Sequence, residues 1–90
     1  MNNKAEKVGV ITSGAKGIGR CTAEMFMEQG AKVCVIDLLP QPYETDLYFR
    51  GDISKEDVLR EFAAAVLDKY GHVDCLVNNA ILQKVLAKNS

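Results

Sequence analysis

Ninety residues hold one domain with a small core, and 48% hydrophobic content places the chain among globular rather than disordered sequences. Eleven basic residues against twelve acidic ones give a net charge of −1 with no basic cluster, which excludes nucleic acid as the main partner. No uninterrupted apolar stretch reaches the ~20 residues of a bilayer span, and the polar start MNNKAEK shows no signal peptide, so a cytoplasmic chain without membrane contact is expected. Cys21, Cys34 and Cys75 lie far apart in apolar surroundings, with no CxxC pair. They are expected to be small buried hydrophobes in a reducing compartment, not metal ligands or disulfide partners. His72 precedes a strand and is expected at the surface.

After a polar lead-in, Val8 to Ile11 reads as strand one, with the continuous apolar character of a strand buried on both faces. Gly14, Gly17 and Gly19 follow at once, and a helix over Ile18 to Gln29 comes next. Its inward face is expected at Ile18, Thr22, Met25, Phe26 and Gln29, with Gly30 as the stop. A strand, a glycine turn and a helix start together are where a phosphate is usually held, because bare backbone comes close to the anion and free N–H groups face it. Taken alone, such a turn also serves as a plain connection.

Strand two, Lys32 to Ile36, ends at Asp37. A dinucleotide-binding unit places an acidic residue about 20 residues past its glycines to accept the ribose hydroxyls. An Asp at a strand end can also simply open a turn. Residues 38–46 carry both prolines, so an irregular crossover is expected in place of a helix, with one sheet face thinly covered. Strand three is Leu47 to Arg50. Ser54 is the expected N-cap of a second helix, Lys55 to Tyr70, with Val58, Leu59, Phe62, Ala65, Val66 and Lys69 facing inward and Gly71 ending it. Strand four is Val73 to Val77, closed by Asn78, Asn79 and Ala80.

Strands alternating with helical segments give an α/β class, a single Rossmann-like doubly wound parallel sheet over residues 1–90. Right-handed crossovers set the order 3-2-1-4. Ligand then lies beyond the carboxyl ends of strands one and four, where the glycine turn, Asp37, Asp52 and Asn78 converge.

The stretches VITSGAKGIGR, VCVIDL, GDIS and KYGHVDCLVNNA together resemble the N-terminal half of a short-chain dehydrogenase/reductase, over residues 7–80. The Thr-Gly-x-x-x-Gly-x-Gly motif of that family is matched by Thr12, Gly17, Ile18 and Gly19. Its Asn-Asn-Ala-Gly motif is matched by Asn78, Asn79 and Ala80. The resemblance implies an NAD(P)-dependent alcohol–carbonyl oxidoreductase. By it, Thr12, Ser13, Gly14, Lys16, Gly17, Ile18 and Gly19 form the cofactor turn, and Asp37 binds the adenosine ribose and favours NAD over NADP. Asp52 and Ile53 flank the adenine, Asn78 and Ala80 line the cofactor path, and Asn79 braces the sheet.

Departures from the family pattern carry their own expectations. Ser13 stands where the family has glycine; a left-handed backbone there costs on the order of 1 kcal/mol unless Gly14 shifts the turn. Ile81 stands where the family has the glycine after Asn-Asn-Ala, and crowds the cofactor path. Lys16 is of a kind that meets an NADP phosphate, though Asp37 opposes one. The family's catalytic Ser and Tyr-x-x-x-Lys have no counterpart: Tyr43, Tyr48 and Tyr70 are followed four places on by Leu47, Asp52 and Asp74. No catalytic residue is assigned. The divergent tail, residues 81–90, has Ile81, Leu82, Val85 and Leu86 at helical spacing. Three functions follow: a shortened oxidoreductase, a non-catalytic dinucleotide-binding module, or a truncated remnant that self-associates through the open edge of strand four.

Overall fold

The computed structural model describes residues 6–79. Four strands, β1 (Val8–Thr12), β2 (Lys32–Asp37), β3 (Leu47–Arg50) and β4 (Cys75–Asn78), pair in parallel in the order β3-β2-β1-β4. This is the expected order. Two helices, α1 (Gly17–Glu28) and α2 (Glu56–Tyr70), cover opposite faces. Strand alternation explains the division. Val8 and Val10 of β1 with Cys34 and Ile36 of β2 point to Phe62 and Val66 of α2. Ile11, Val33 and Val35 point the other way, onto Ala23 of α1. Every β1 residue is buried, as its unbroken apolar run demands.

The face that periodicity suggests for α1 is met in part: Phe26 packs on the α1-side core as expected. Gly19 and Ala23 are its buried residues, whereas Ile18 and Met25 are 53% and 58% exposed. Small residues let the helix axis approach β1 closely, and the approach leaves Ile18 and Met25 outward. In α2, Phe62 and Val66 are buried as expected and Phe49 meets Phe62 edge-on at 5.8 Å, but Leu59 is exposed. Ser54 does not cap α2. Its N–H and hydroxyl both donate to Asp52 Oδ1, at 2.9 and 2.7 Å, and Lys55 takes the cap position. The Asp two residues back outcompetes the helix for the hydroxyl.

No helix joins β2 to β3, as the prolines require. Tyr43 and Tyr48 pack on the α1-side core in its place. Of the cysteines, only Cys34 is buried, which pushes its thiol up to about 11; Cys21 and Cys75 are exposed, because α1 turns Cys21 outward and Cys75 lies on the edge strand β4. β4 begins at Cys75 rather than Val73. Asp74 instead makes a corner with β1, its carboxylate accepting the Val8 N–H at 2.7 Å and its own N–H reaching the Val8 carbonyl at 2.9 Å.

His72, half-exposed at the surface as expected, closes the same corner. Its Nε2 lies 2.9 Å from the Glu6 carbonyl and 3.0 Å from Asp74 Oδ2, and its Nδ1 lies 3.0 Å from the Tyr70 carbonyl. Acceptors at both ring nitrogens favour the imidazolium. The Glu6 carbonyl leads in raising the His72 pKa above 6.5, and the Val8 N–H leads in lowering that of Asp74 below 3.8. The raised His72 contributes stability that is lost as pH rises through its folded pKa. The lowered Asp74 contributes stability that is lost as pH falls through its own. The urea midpoint is therefore expected to be highest between the two ranges and to decline as pH rises past 6.5. His72 is the chain's single histidine, so a flat midpoint from about pH 5 to 8 would show that the corner does not titrate with folding.

Candidate functional site

β1 runs into a bend at the carboxyl end of the sheet, between β2 on one side and β4 on the other. Strand order reverses there, which opens a crevice beyond the strand ends. Ser13 prolongs the sheet, its N–H donating to the Ile36 carbonyl at 2.8 Å, and it does so at φ 56. The left-handed strain therefore sits on Ser13, and Gly14 does not relieve it. Gly14 is needed for space instead, since a Cβ there meets Val35 Cγ1 at 2.8 Å. Ser13→Gly is expected to raise stability by about 1 kcal/mol by removing the Cβ–carbonyl conflict. A lower urea midpoint in that variant would show the strain to be negligible.

Two further groups hold the bend. Asn79, 1% exposed, donates from Nδ2 to the Ser13 carbonyl at 3.1 Å, bracing β4 against β1. Gly19 lies so close that a Cβ would run into the Ser13 carbonyl and reach 2.9 Å from both Asn79 Nδ2 and the Gly14 Cα. At Gly17 the chain turns at φ 63 with open space where a Cβ would be. α1 starts here with Lys16 as an extended N-cap, without a side-chain cap bond and without an acidic residue in its first turn. Its first N–H groups thus face the crevice uncapped, at the positive end of the helix dipole.

Asp37 stands across the crevice at the tip of β2. Its Oδ2 accepts the Ala15 N–H and its Oδ1 accepts the Leu39 N–H, each at 3.0 Å. A carboxylate has about four lone-pair sites, so one remains on each oxygen. The Gly51 N–H donates to the Asp37 carbonyl at 2.9 Å and ties the end of β3 to the same place. Asp52 follows, half-exposed on the loop, with Ser54 holding its carboxyl below the usual range. Ile53 is partly buried against the α2-side core. On the other side, the Thr12 hydroxyl donates to Asn78 Oδ1 at 3.1 Å, joining the tips of β1 and β4. Lys16 is exposed at the rim. Ala80, Ile81 and the rest of the tail lie outside the described residues.

Sequence reasoning passed over two residues at this site. The Tyr43 hydroxyl donates to the Gly14 carbonyl at 2.6 Å, and the Arg20 guanidinium lies 4.6 Å over the Tyr43 ring. Burial pushes the Tyr43 phenol up to about 12, so it remains a donor at neutral pH. The available signal was an aromatic residue directly after the second of two prolines, too weak to place by itself. No cluster of metal-ligating side chains occurs among the described residues, and none of their helices is long and apolar enough to cross a membrane.

Known proteins share this arrangement. The chain is 45% identical over 82 residues to tropinone reductase-like 2 of Erythroxylum coca, a match covering 82% of this chain and 30% of that protein. It is 35% identical over 81 residues to mouse (Mus musculus) L-fucose dehydrogenase, again covering 82% and 30%. The ligand-free aldohexose dehydrogenase of Thermoplasma acidophilum superposes with a TM-score of 0.76 at 27% identity, over 81% of this chain and 29% of that one. The chain thus spans about 30% of the length of the curated relatives it matches. Residues 7–89 match the short chain dehydrogenase family pattern. From that match, which takes in nearly the whole chain, the chain belongs to the short chain dehydrogenase family.

Proposed function

We propose that this chain is the cofactor-binding portion of an oxidoreductase that interconverts an alcohol and a carbonyl, with NAD rather than NADP as the cofactor. One observation carries the proposal: the Asp37 carboxylate lies beside the Gly14–Ala15 peptide at an uncapped helix start. The residues present fit a dinucleotide. The N–H groups around Gly17, Ile18 and Gly19 hold the diphosphate, and the bare backbone at Gly17 leaves it room. Ser13 and Gly14 shape the bend beneath it. Asp37 takes the adenosine ribose, Asp52 and Ile53 flank the adenine, and Thr12 and Asn78 line the path toward the nicotinamide. When bound, the nicotinamide supplies or accepts the hydride. An acidic Asp37 repels a 2′-phosphate, and this outweighs solvated Lys16 at the rim. Relatives named for tropinone, fucose and aldohexoses support an alcohol–carbonyl substrate class.

Calorimetric titration of the 90-residue chain tests the proposal. Saturable heat with NADH, and weaker heat with NADPH, is expected. Absence of saturable heat with either dinucleotide would sink it. Turnover by this chain is expected at background with simple alcohols, ketones or sugars, because no Tyr-x-x-x-Lys is present. Clear activity would show that those residues are dispensable.

A second observation favours self-association. β4 is an edge of the described sheet, and Leu76, Leu67 and Val73 beside it are 63%, 52% and 44% exposed. An apolar edge strand invites pairing, and a second copy offers a matching edge. Sedimentation at high concentration is expected to show dimers or larger species; a clean monomer would remove the idea. A cytoplasmic location is proposed on the same footing, from the absence of cysteine pairing among the described residues.

A further inference from the structure

Asp37 and Tyr43 grip the two ends of a single peptide group. The Ala15 N–H donates to Asp37 Oδ2 at 3.0 Å, and the carbonyl of the same peptide, that of Gly14, accepts from the Tyr43 hydroxyl at 2.6 Å. We infer that Tyr43 is a positioning residue for adenosine recognition, acting through the Gly14–Ala15 peptide on the orientation of Asp37. A peptide plane held at only one end can rotate; held at both, it presents its N–H in one direction and so fixes the carboxylate that accepts it. The β2–β3 segment, which lacks a crossover helix, supplies both grips and is itself pinned. Leu39 N–H reaches Asp37 Oδ1, the Tyr48 hydroxyl donates to the Leu39 carbonyl at 2.7 Å, and Arg20 stacks on the outer face of the Tyr43 ring. The segment is therefore a strap that crosses from the ribose carboxylate back over the phosphate bend.

The inference deepens the dinucleotide proposal and rests on it for its ligand. Tyr43→Phe keeps the ring and its packing and removes only the hydroxyl. Two readouts apply: amide hydrogen exchange of Ala15 by NMR, and affinity for NADH by calorimetry. In Tyr43→Phe the Ala15 amide is expected to exchange at least tenfold faster while the amides of Ile11 and Val35 hold their rates. NADH is expected to bind roughly fivefold more weakly, the size of one neutral hydrogen bond. Tyr70→Phe, at the end of α2 and packed on the opposite face of the sheet, is expected to change neither. Unchanged Ala15 exchange in Tyr43→Phe would overturn the grip. A uniform rise across all three amides would also overturn it, by making Tyr43 a general stabiliser. Faster Ala15 exchange with unaltered NADH affinity would overturn the positioning role. If the unmodified chain binds no NADH, the positioning role falls with the proposed function, and the exchange measurement still decides whether the grip exists.

Discussion

Asp37→Ala is expected to weaken NADH binding about 100-fold, while NADPH affinity changes less than tenfold. In the proposed complex each ribose hydroxyl donates to one oxygen of the Asp37 carboxylate, and hydrogen bonds to charged groups are worth about 1.5–3 kcal/mol each. Two at the low end give about 3 kcal/mol, or two powers of ten. For NADPH the substitution also removes a charge repelled by the 2′-phosphate, so loss and gain oppose one another. The alanine additionally strips Ala15 and Leu39 of their N–H acceptor. Asp37→Asn separates the effects, since its one carbonyl oxygen keeps the Ala15 N–H satisfied but lacks the charge. Calorimetry on the three chains with both dinucleotides measures this. Equal loss of NADH and NADPH would show that Asp37 does not touch the ribose.

Gly19→Ala is expected to destabilise the chain by about 3 kcal/mol. Overpacking typically costs about 1–3 kcal/mol, and here the obstacles include rigid backbone, the Ser13 carbonyl and the Gly14 Cα, with no flexible side chain between them to yield. Displacing the Ser13 carbonyl also strains its bond from Asn79 Nδ2, worth about another 1 kcal/mol. Gly17→Ala provides the contrast. Nothing lies within 4 Å of its Cβ position, so only the left-handed φ of 63 opposes it, at a cost of about 1 kcal/mol. Urea unfolding of the two variants measures the difference. Equal losses would mean that α1 does not pack on the bend as closely as the distances imply.

These variants touch features that differ in how far they were readable beforehand. Asp37 was readable because the chemistry is local: an acid at the end of an apolar run, about 20 residues past a glycine turn. The close approach of Gly19 to Asn79 was not, because it joins residues sixty positions apart in the chain. The α1 face was readable at Phe26 but not in full, for a related reason. Periodicity finds the bulkiest stripe, Ile18 and Met25, whereas the sheet selects the stripe that lets the backbones come nearest, Gly19 and Ala23. Ser54 was misread as a cap because a cap position and an Asx turn use the same residue types, and the choice depends on where Asp52 points.

What the sequence by itself determined is the order of strands and the location of the crevice. Buried parallel strands need continuous apolar runs, glycines and prolines punctuate them, and right-handed crossovers leave one arrangement. What only the tertiary structure decided is which groups hold the glycine bend: Asn79 on the Ser13 carbonyl, and Asp37 and Tyr43 on one peptide. Such bonds depend on directions fixed to within a few tens of degrees. Those directions exist only once β1, β2 and β4 are in register and the crossover has closed over them.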